Sequence, residues 1–183
     1  MISVKNILVI FITLILFFQA SAKEVVLKNK TLSKAEEAEK AKKSDYLAPL
    51  LSAPDVDKLI HWLTQQPLLR KLPDENVYMS HAGLPPQWTI ERAISAARSA
   101  EKKISSSQRN KWLARMYGEK PNDWYQAKTK TEKFRYTING LTRMRYCYLD
   151  GKLEFNCKTA PEDATDNIKP WYELTTNQIQ NYQ

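Results

Sequence analysis

Histidine is nearly missing from this chain. Only His61 and His81 occur in 183 residues. Glycine is almost as scarce, with four residues, and none of the four precedes an aspartate. No asparagine is followed by histidine. One imidazole cannot by itself fix a catalytic pair of metal ions, because such a site needs several ligands held in place. Two cysteines exclude a disulfide-dense scaffold. The longest apolar run, Ile7 to Phe18, has 12 residues, whereas a membrane span takes about 20. Low glycine content, five tryptophans and 43% hydrophobic residues exclude a disordered chain.

What is present divides into three parts. Residues 1–22 read as a secretory leader. Lys5 supplies a positive start, the apolar run follows, and Ala20-Ser21-Ala22 supplies small residues where a signal peptidase cuts. If uncleaved, the same stretch is a membrane anchor. Membrane contact is expected through this leader only. Residues 23–45 form a charged helical linker. Glu36–Lys40 and Glu39–Lys43 stand four apart, and no broad apolar face accompanies them. Residues 46–183 form one domain with room for a core.

Within that domain, Leu47 to Gln66 predicts a helix. Ser52 caps it, Pro54 sits in the first turn, and Val56, Leu59, Ile60 and Leu63 form the buried stripe. His61 falls off the stripe and reads as a surface residue. Short strands are expected at Leu68 to Leu72 and Val77 to Ser80, joined by the turn Pro73-Asp74-Glu75-Asn76. Thr89 caps a helix to about Ser105, a shorter helix covers Asn110 to Tyr117, and Thr131 to Leu141 is helical. Asp150-Gly151 predicts a two-residue hairpin turn pairing Cys147 with Glu154. That register sends Cys147 and Cys157 to opposite faces and leaves both thiols free.

The central stretch is Asn76 to Trp88, NVYMSHAGLPPQW. Its apolar start predicts a buried strand, and Gly83 with Pro85-Pro86 ends regular structure. His81 then sits at the strand's C-terminal lip, where ligands collect in open α/β sheets. Spacing alone assigns it no more than a strand cap or a bond to a backbone carbonyl.

A resemblance adds to that reading. LAPLLSAPDVDKLIHWLTQQPLL (Leu47–Leu69), VYMSHAGLPPQW (Val77–Trp88), ARMYGEKPNDW (Ala114–Trp124), FRYTINGLTRMRYCYLDGKL (Phe134–Leu153) and KPWYEL (Lys169–Leu174) occur in one order. Together they resemble the symmetrical diadenosine tetraphosphate hydrolases, members of the metallophosphoesterases. The resemblance covers about residues 41–183, a central-to-C-terminal portion. It implies an α/β fold: an incomplete, calcineurin-like metallophosphoesterase domain with helices on a partial sheet and a C-terminal β-hairpin. It also implies two divalent cations, of manganese or cobalt type, and a dinucleoside polyphosphate substrate cleaved to two ADP. Family metal ligands come from GD-x-x-G, GD-x-x-x-RG and GNHD loops, the HAG histidine and a GHW histidine. Of these, His81 alone has a counterpart here, and no catalytic residue is carried over.

Phosphate contacts are better provided for. Lys128, Lys130, Lys133, Arg135, Arg143 and Arg145 lie within 18 residues that hold one acid, Glu132. The lysines read as solvated surface. Arg143 and Arg145, in the family-like TRMR block, are the candidates for binding substrate phosphate, since guanidinium groups grip phosphates two-pronged. The net charge of +8 implies nonspecific attraction to polyanions, and no motif specifies a nucleic acid.

The leader and the resemblance point to different compartments. Export to the periplasm or beyond follows from the first, the cytoplasm from the second. Two expectations follow: a truncated hydrolase that is inactive alone, or an exported, non-catalytic, basic binding module derived from that fold.

Overall fold

The computed structural model describes residues 52–174. The expected leader and linker, and residues 46–51 and 175–183 of the expected domain, lie outside the described residues. The elements are α1 (Val56–Thr64), β1 (Arg70–Lys71), β2 (Tyr78–Met79), α2 (Ile90–Ile104), α3 (Arg109–Met116), α4 (Lys130–Thr142), β3 (Tyr146–Tyr148), β4 (Leu153–Glu154) and β5 (Ile168–Pro170). Helices and small antiparallel sheets together give the mixed α/β character that the sequence predicts.

The chain divides into two compact units. Described residues of the first are 52–66 and 103–117. Its buried apolar side chains are Leu63, Ile104, Leu113 and Met116. Helix α1 starts later than its sequence suggests. The Ala53 carbonyl accepts from the Val56 N–H at 3.1 Å and closes a turn there. Asp55, not Ser52, therefore holds the N-cap position. His61 is exposed, as its place off the stripe implies.

Described residues of the second unit are 67–102 and 118–174. Its core gathers Tyr136, Met144, Cys147, Leu153 and Leu174, with Trp88, Trp124, Leu149, Phe155 and Trp171 packed against them. Helix α4 is the central element, and its start is fixed by a reciprocal cap. Thr129 Oγ1 accepts from the Glu132 N–H at 3.2 Å, and the Glu132 carboxylate accepts from the Thr129 N–H at 2.8 Å. Both are donors that a helix start otherwise leaves unsatisfied. From there Phe134, Ile138 and Leu141 turn inward, as their spacing predicts.

Two expectations about strands are corrected. The strand before His81 is only two residues long and half-buried, and it pairs antiparallel with β1 in a two-stranded ribbon. It is not the lip of an open parallel sheet. The hairpin register also differs by one residue: Cys147 faces Leu153, and Tyr146 faces Glu154. The cause is the loop. Tyr148 O accepts from the Gly151 N–H at 2.8 Å, and the Tyr148 N–H donates to Lys152 O at 2.8 Å. Leu149-Asp150-Gly151 is therefore a three-residue loop, with Gly151 at φ +81°. That is a type I turn closed by a left-handed glycine, which shifts the pairing relative to a two-residue turn. Asp150 secures it through a bond to the Lys152 N–H at 3.1 Å and an ion pair with the Lys152 ammonium. Both cysteines are free, but not for the face-parity reason. Strand β4 ends at Glu154. The Glu154 carboxylate then takes the Asn156 and Cys157 N–H groups at 2.7 Å each, turning the chain away.

A third strand, β5, joins on the other side of β3 in the order β4-β3-β5. Its Ile168 and Pro170 are buried while Lys169 is exposed, the alternation expected when one sheet face meets the core.

The cap on α4 yields a prediction. Thr129→Ala lowers stability by about 1 kcal/mol at neutral pH, read by thermal or urea unfolding. Hydrogen bonds from Thr129 and Lys128 hold the Glu132 carboxyl below its ordinary pKa. A carboxylate depressed on folding stabilises above its unfolded pKa and loses that contribution as pH falls through the folded one. The deficit of Thr129→Ala therefore narrows in acid.

Candidate functional site

The candidate site is built on the segment from Ser80 to Trp88 and the C-terminal end of α4. Ala82 N–H donates to Leu141 O at 2.9 Å. This one bond joins the residue after His81 to a residue two before Arg143. Ser80 Oγ donates to Gly83 O at 2.8 Å and tightens the turn. Gly83 stands at φ +152°, and a Cβ there would lie 2.3 Å from the Trp171 ring. Both the backbone angle and the space require glycine. Pro85 is buried against Gly140 of α4, where a Cβ would lie 2.5 Å from Pro85 Cγ. Loop and helix thus meet backbone to ring.

Gln87 fastens the far end. Its Nε2 donates to Asp123 Oδ1 at 3.2 Å. Its Oε1 accepts from the Trp124 N–H at 2.9 Å and from the Tyr136 hydroxyl at 3.2 Å. Asp123 is buried, and its Oδ1 also accepts from the Tyr125 N–H at 3.0 Å. Trp88, Trp124 and Tyr136 pack with centroids 5.1 to 5.5 Å apart. Burial pushes the Tyr136 hydroxyl well above its ordinary pKa. The Trp88 indole N–H is buried without an acceptor.

His81 is exposed on this loop. Neighbouring protein atoms still hold its pKa below the ordinary imidazole value by partial desolvation, which favours the neutral, ligand-competent ring. Arg143 is the C-cap of α4 and β3 begins at Tyr146, so no strand sets Arg143 and Arg145 on one face. Its Nη1 donates to Asn139 Oδ1 at 3.0 Å, Nη2 is 3.7 Å from Glu119 Oε1, and the guanidinium lies 4.9 Å from the Phe155 ring centroid. Asn139 is buried and also donates to Gly118 O at 2.8 Å. Arg145 is exposed, and its carbonyl accepts from the Trp171 N–H at 3.1 Å.

The residues around His81 were tested as a metal centre by their donors. Among the described residues, no group of three His, Cys, Asp or Glu side chains could hold an ion. A single exposed imidazole does not fit a two-metal site. The fastening residues Gln87, Asp123 and Asn139 were not identified from sequence. An amide directly after Pro85-Pro86, such as Gln87, carries no periodic signal.

The joined loop and helix end belong to blocks that can be compared with known proteins. A protein of Colwellia psychrerythraea is 53% identical over 150 residues, covering 74% of this chain and 53% of that protein. A protein of Psychromonas ingrahamii is 46% identical over 136 residues, and one of Aeromonas hydrophila is 41% identical over 138. All three carry the name symmetrical bis(5'-nucleosyl)-tetraphosphatase. Over that stretch, this chain is a relative of the symmetrical bis(5'-nucleosyl)-tetraphosphatases. It spans about half the length of these curated relatives. No family model matches the chain.

For this tetraphosphatase relative, the loop–helix contact gives a second prediction. Gly140→Ala removes a helix glycine, a gain of up to about 1 kcal/mol. It also drives a methyl into Pro85, and overpacking of this kind costs about 1–3 kcal/mol. The expected outcome is net destabilisation in chemical unfolding, with partial recovery in Pro85→Ala/Gly140→Ala.

Proposed function

We propose that this chain carries the central-to-C-terminal part of an incomplete metallophosphoesterase domain whose relatives hydrolyse diadenosine tetraphosphate to two ADP. In this reading His81 is one metal ligand, and Arg143 with Arg145 contacts substrate phosphate. The chain by itself is not a hydrolase. Its relatives' name supports the substrate class, and the five blocks support the residue correspondence.

The observation that carries the inactivity is a donor count. The whole sequence has two histidines, no Gly-Asp and no Asn-His, and His61 is exposed on a separate helix. Two-metal hydrolysis needs a carboxylate bridging the cations and further ligands on each. His81 provides one nitrogen. Arginines that grip phosphate without an activated nucleophile bind ground state and transition state alike, which leaves the barrier unchanged.

The purified chain is therefore expected to release no ADP from diadenosine tetraphosphate with manganese or cobalt present, followed by chromatography. Metal-dependent release that disappears in His81→Ala would sink this reading.

A further inference from the structure

One buried carboxamide brings an arginine and a glutamate together in the second unit. Asn139, on α4, is 1% exposed. Its Oδ1 accepts from Arg143 Nη1 at 3.0 Å, and its Nδ2 donates to Gly118 O at 2.8 Å. The same side chain therefore fixes the guanidinium and the residue before Glu119. Arg135 Nη1 donates to Lys120 O at 2.8 Å, which fixes the residue after it. Glu119 thus stands on a backbone pinned on both sides, with its carboxylate 3.7 Å from Arg143 Nη2.

The contacts of Arg143 differ in how readily each is given up. A charge-assisted N–H···O bond measures about 2.7–2.9 Å, so the approach of Glu119 is attraction without a hydrogen bond. The Glu119 side chain is 49% exposed and that of Arg143 22%. Ion pairs this open to water are weak. Among the described residues, the Glu119 carboxylate accepts no hydrogen bond, so moving it strands no donor. Asn139 differs, because leaving its buried Oδ1 without a donor is costly. The Phe155 ring, 4.9 Å from the guanidinium, is neutral and does not compete with an anion. Of these partners Glu119 alone is both charged and exposed. With its backbone held, rotation of one side chain is enough to release the guanidinium.

We propose that Glu119 is an internal counter-ion that gates Arg143. Its carboxylate holds the place of an incoming phosphate oxygen and swings into solvent when one arrives, while Asn139 keeps the guanidinium in position. This rests on the reading above in which Arg143 contacts phosphate, and adds to it the group that competes. A carboxylate tethered to a fixed backbone acts at high effective concentration. Arg143 is therefore shielded from dilute, singly charged anions and yields to a phosphate chain, which brings several charges to one guanidinium.

The test is calorimetric titration of inorganic tripolyphosphate into the metal-free full chain at about 0.15 M salt. Glu119→Gln keeps the shape and removes the charge, and is expected to tighten binding about threefold. Loss of folding does not produce a gain of this kind. Asp166→Asn removes the same charge from an exposed residue after the hairpin, and is expected to change binding less than about 1.5-fold. Arg143→Ala is expected to weaken binding, and in that background Glu119→Gln is expected to have no effect, since the pair it relieves is gone. Equal tightening in the two acid variants marks bulk charge and overturns the proposal. So does tightening that survives Arg143→Ala. Weakening by Arg143→Ala with no gain from Glu119→Gln overturns the gate alone. Binding that is unchanged by Arg143→Ala, or absent from both the parent and the Glu119→Gln chain, overturns the gate and the phosphate reading of Arg143 together.

Discussion

Pro85 pressing on Gly140 is the contact on which the second unit depends. A ring against a helix backbone allows the HAGLPPQW segment to lie flat on α4. The Ala82–Leu141 hydrogen bond then closes at one end. The Gln87 carboxamide reaches Asp123, Trp124 and Tyr136 at the other. A larger residue at 140 would lift the segment and strain both sets of bonds. With the segment down, Trp88 closes the core beside Trp124 and Tyr136, and His81 stays on the exposed turn.

The unit also buries polar side chains, among them Asp123, Asn139 and Glu154. Gln87, Asp123, Asn139 and Glu154 each serve several backbone or side-chain donors and acceptors. Buried polar groups without partners cost about 1–3 kcal/mol, so these residues specify one arrangement of loops that contain little regular structure. Arg143 belongs to this internal network through Asn139 and Glu119. Any phosphate it contacts competes with those partners.

Helices were the most legible part of the sequence. Thr89 before α2 was read as a local signal, because caps act within one turn; the Thr129–Glu132 pair before α4 is as local but was missed, and Ser52 was read in place of Asp55 before α1. The apolar spacing of Phe134, Ile138 and Leu141 also named its own buried face. Strands were less legible. Two-residue strands have no period to read, and β5 is visible only as an alternation in Ile168-Lys169-Pro170. The hairpin was recognised from Asp150-Gly151, but its register was not. Loop length depends on which residue takes the left-handed angle, and sequence permits either choice.

The sequence by itself determined the donor inventory: two histidines, four glycines and no Gly-Asp. It also determined the cap of α2, Thr89, and, through the five blocks, the relationship to the tetraphosphatases. Composition and short-range spacing suffice for those statements, because nothing distant in the chain can change them. Tertiary structure alone decided that Gly83 must admit Trp171, that Gly140 must admit Pro85, and that Arg143 meets Glu119. These contacts join residues from 24 to 88 positions apart. Such meetings depend on where the chain folds back, and no local preference encodes that.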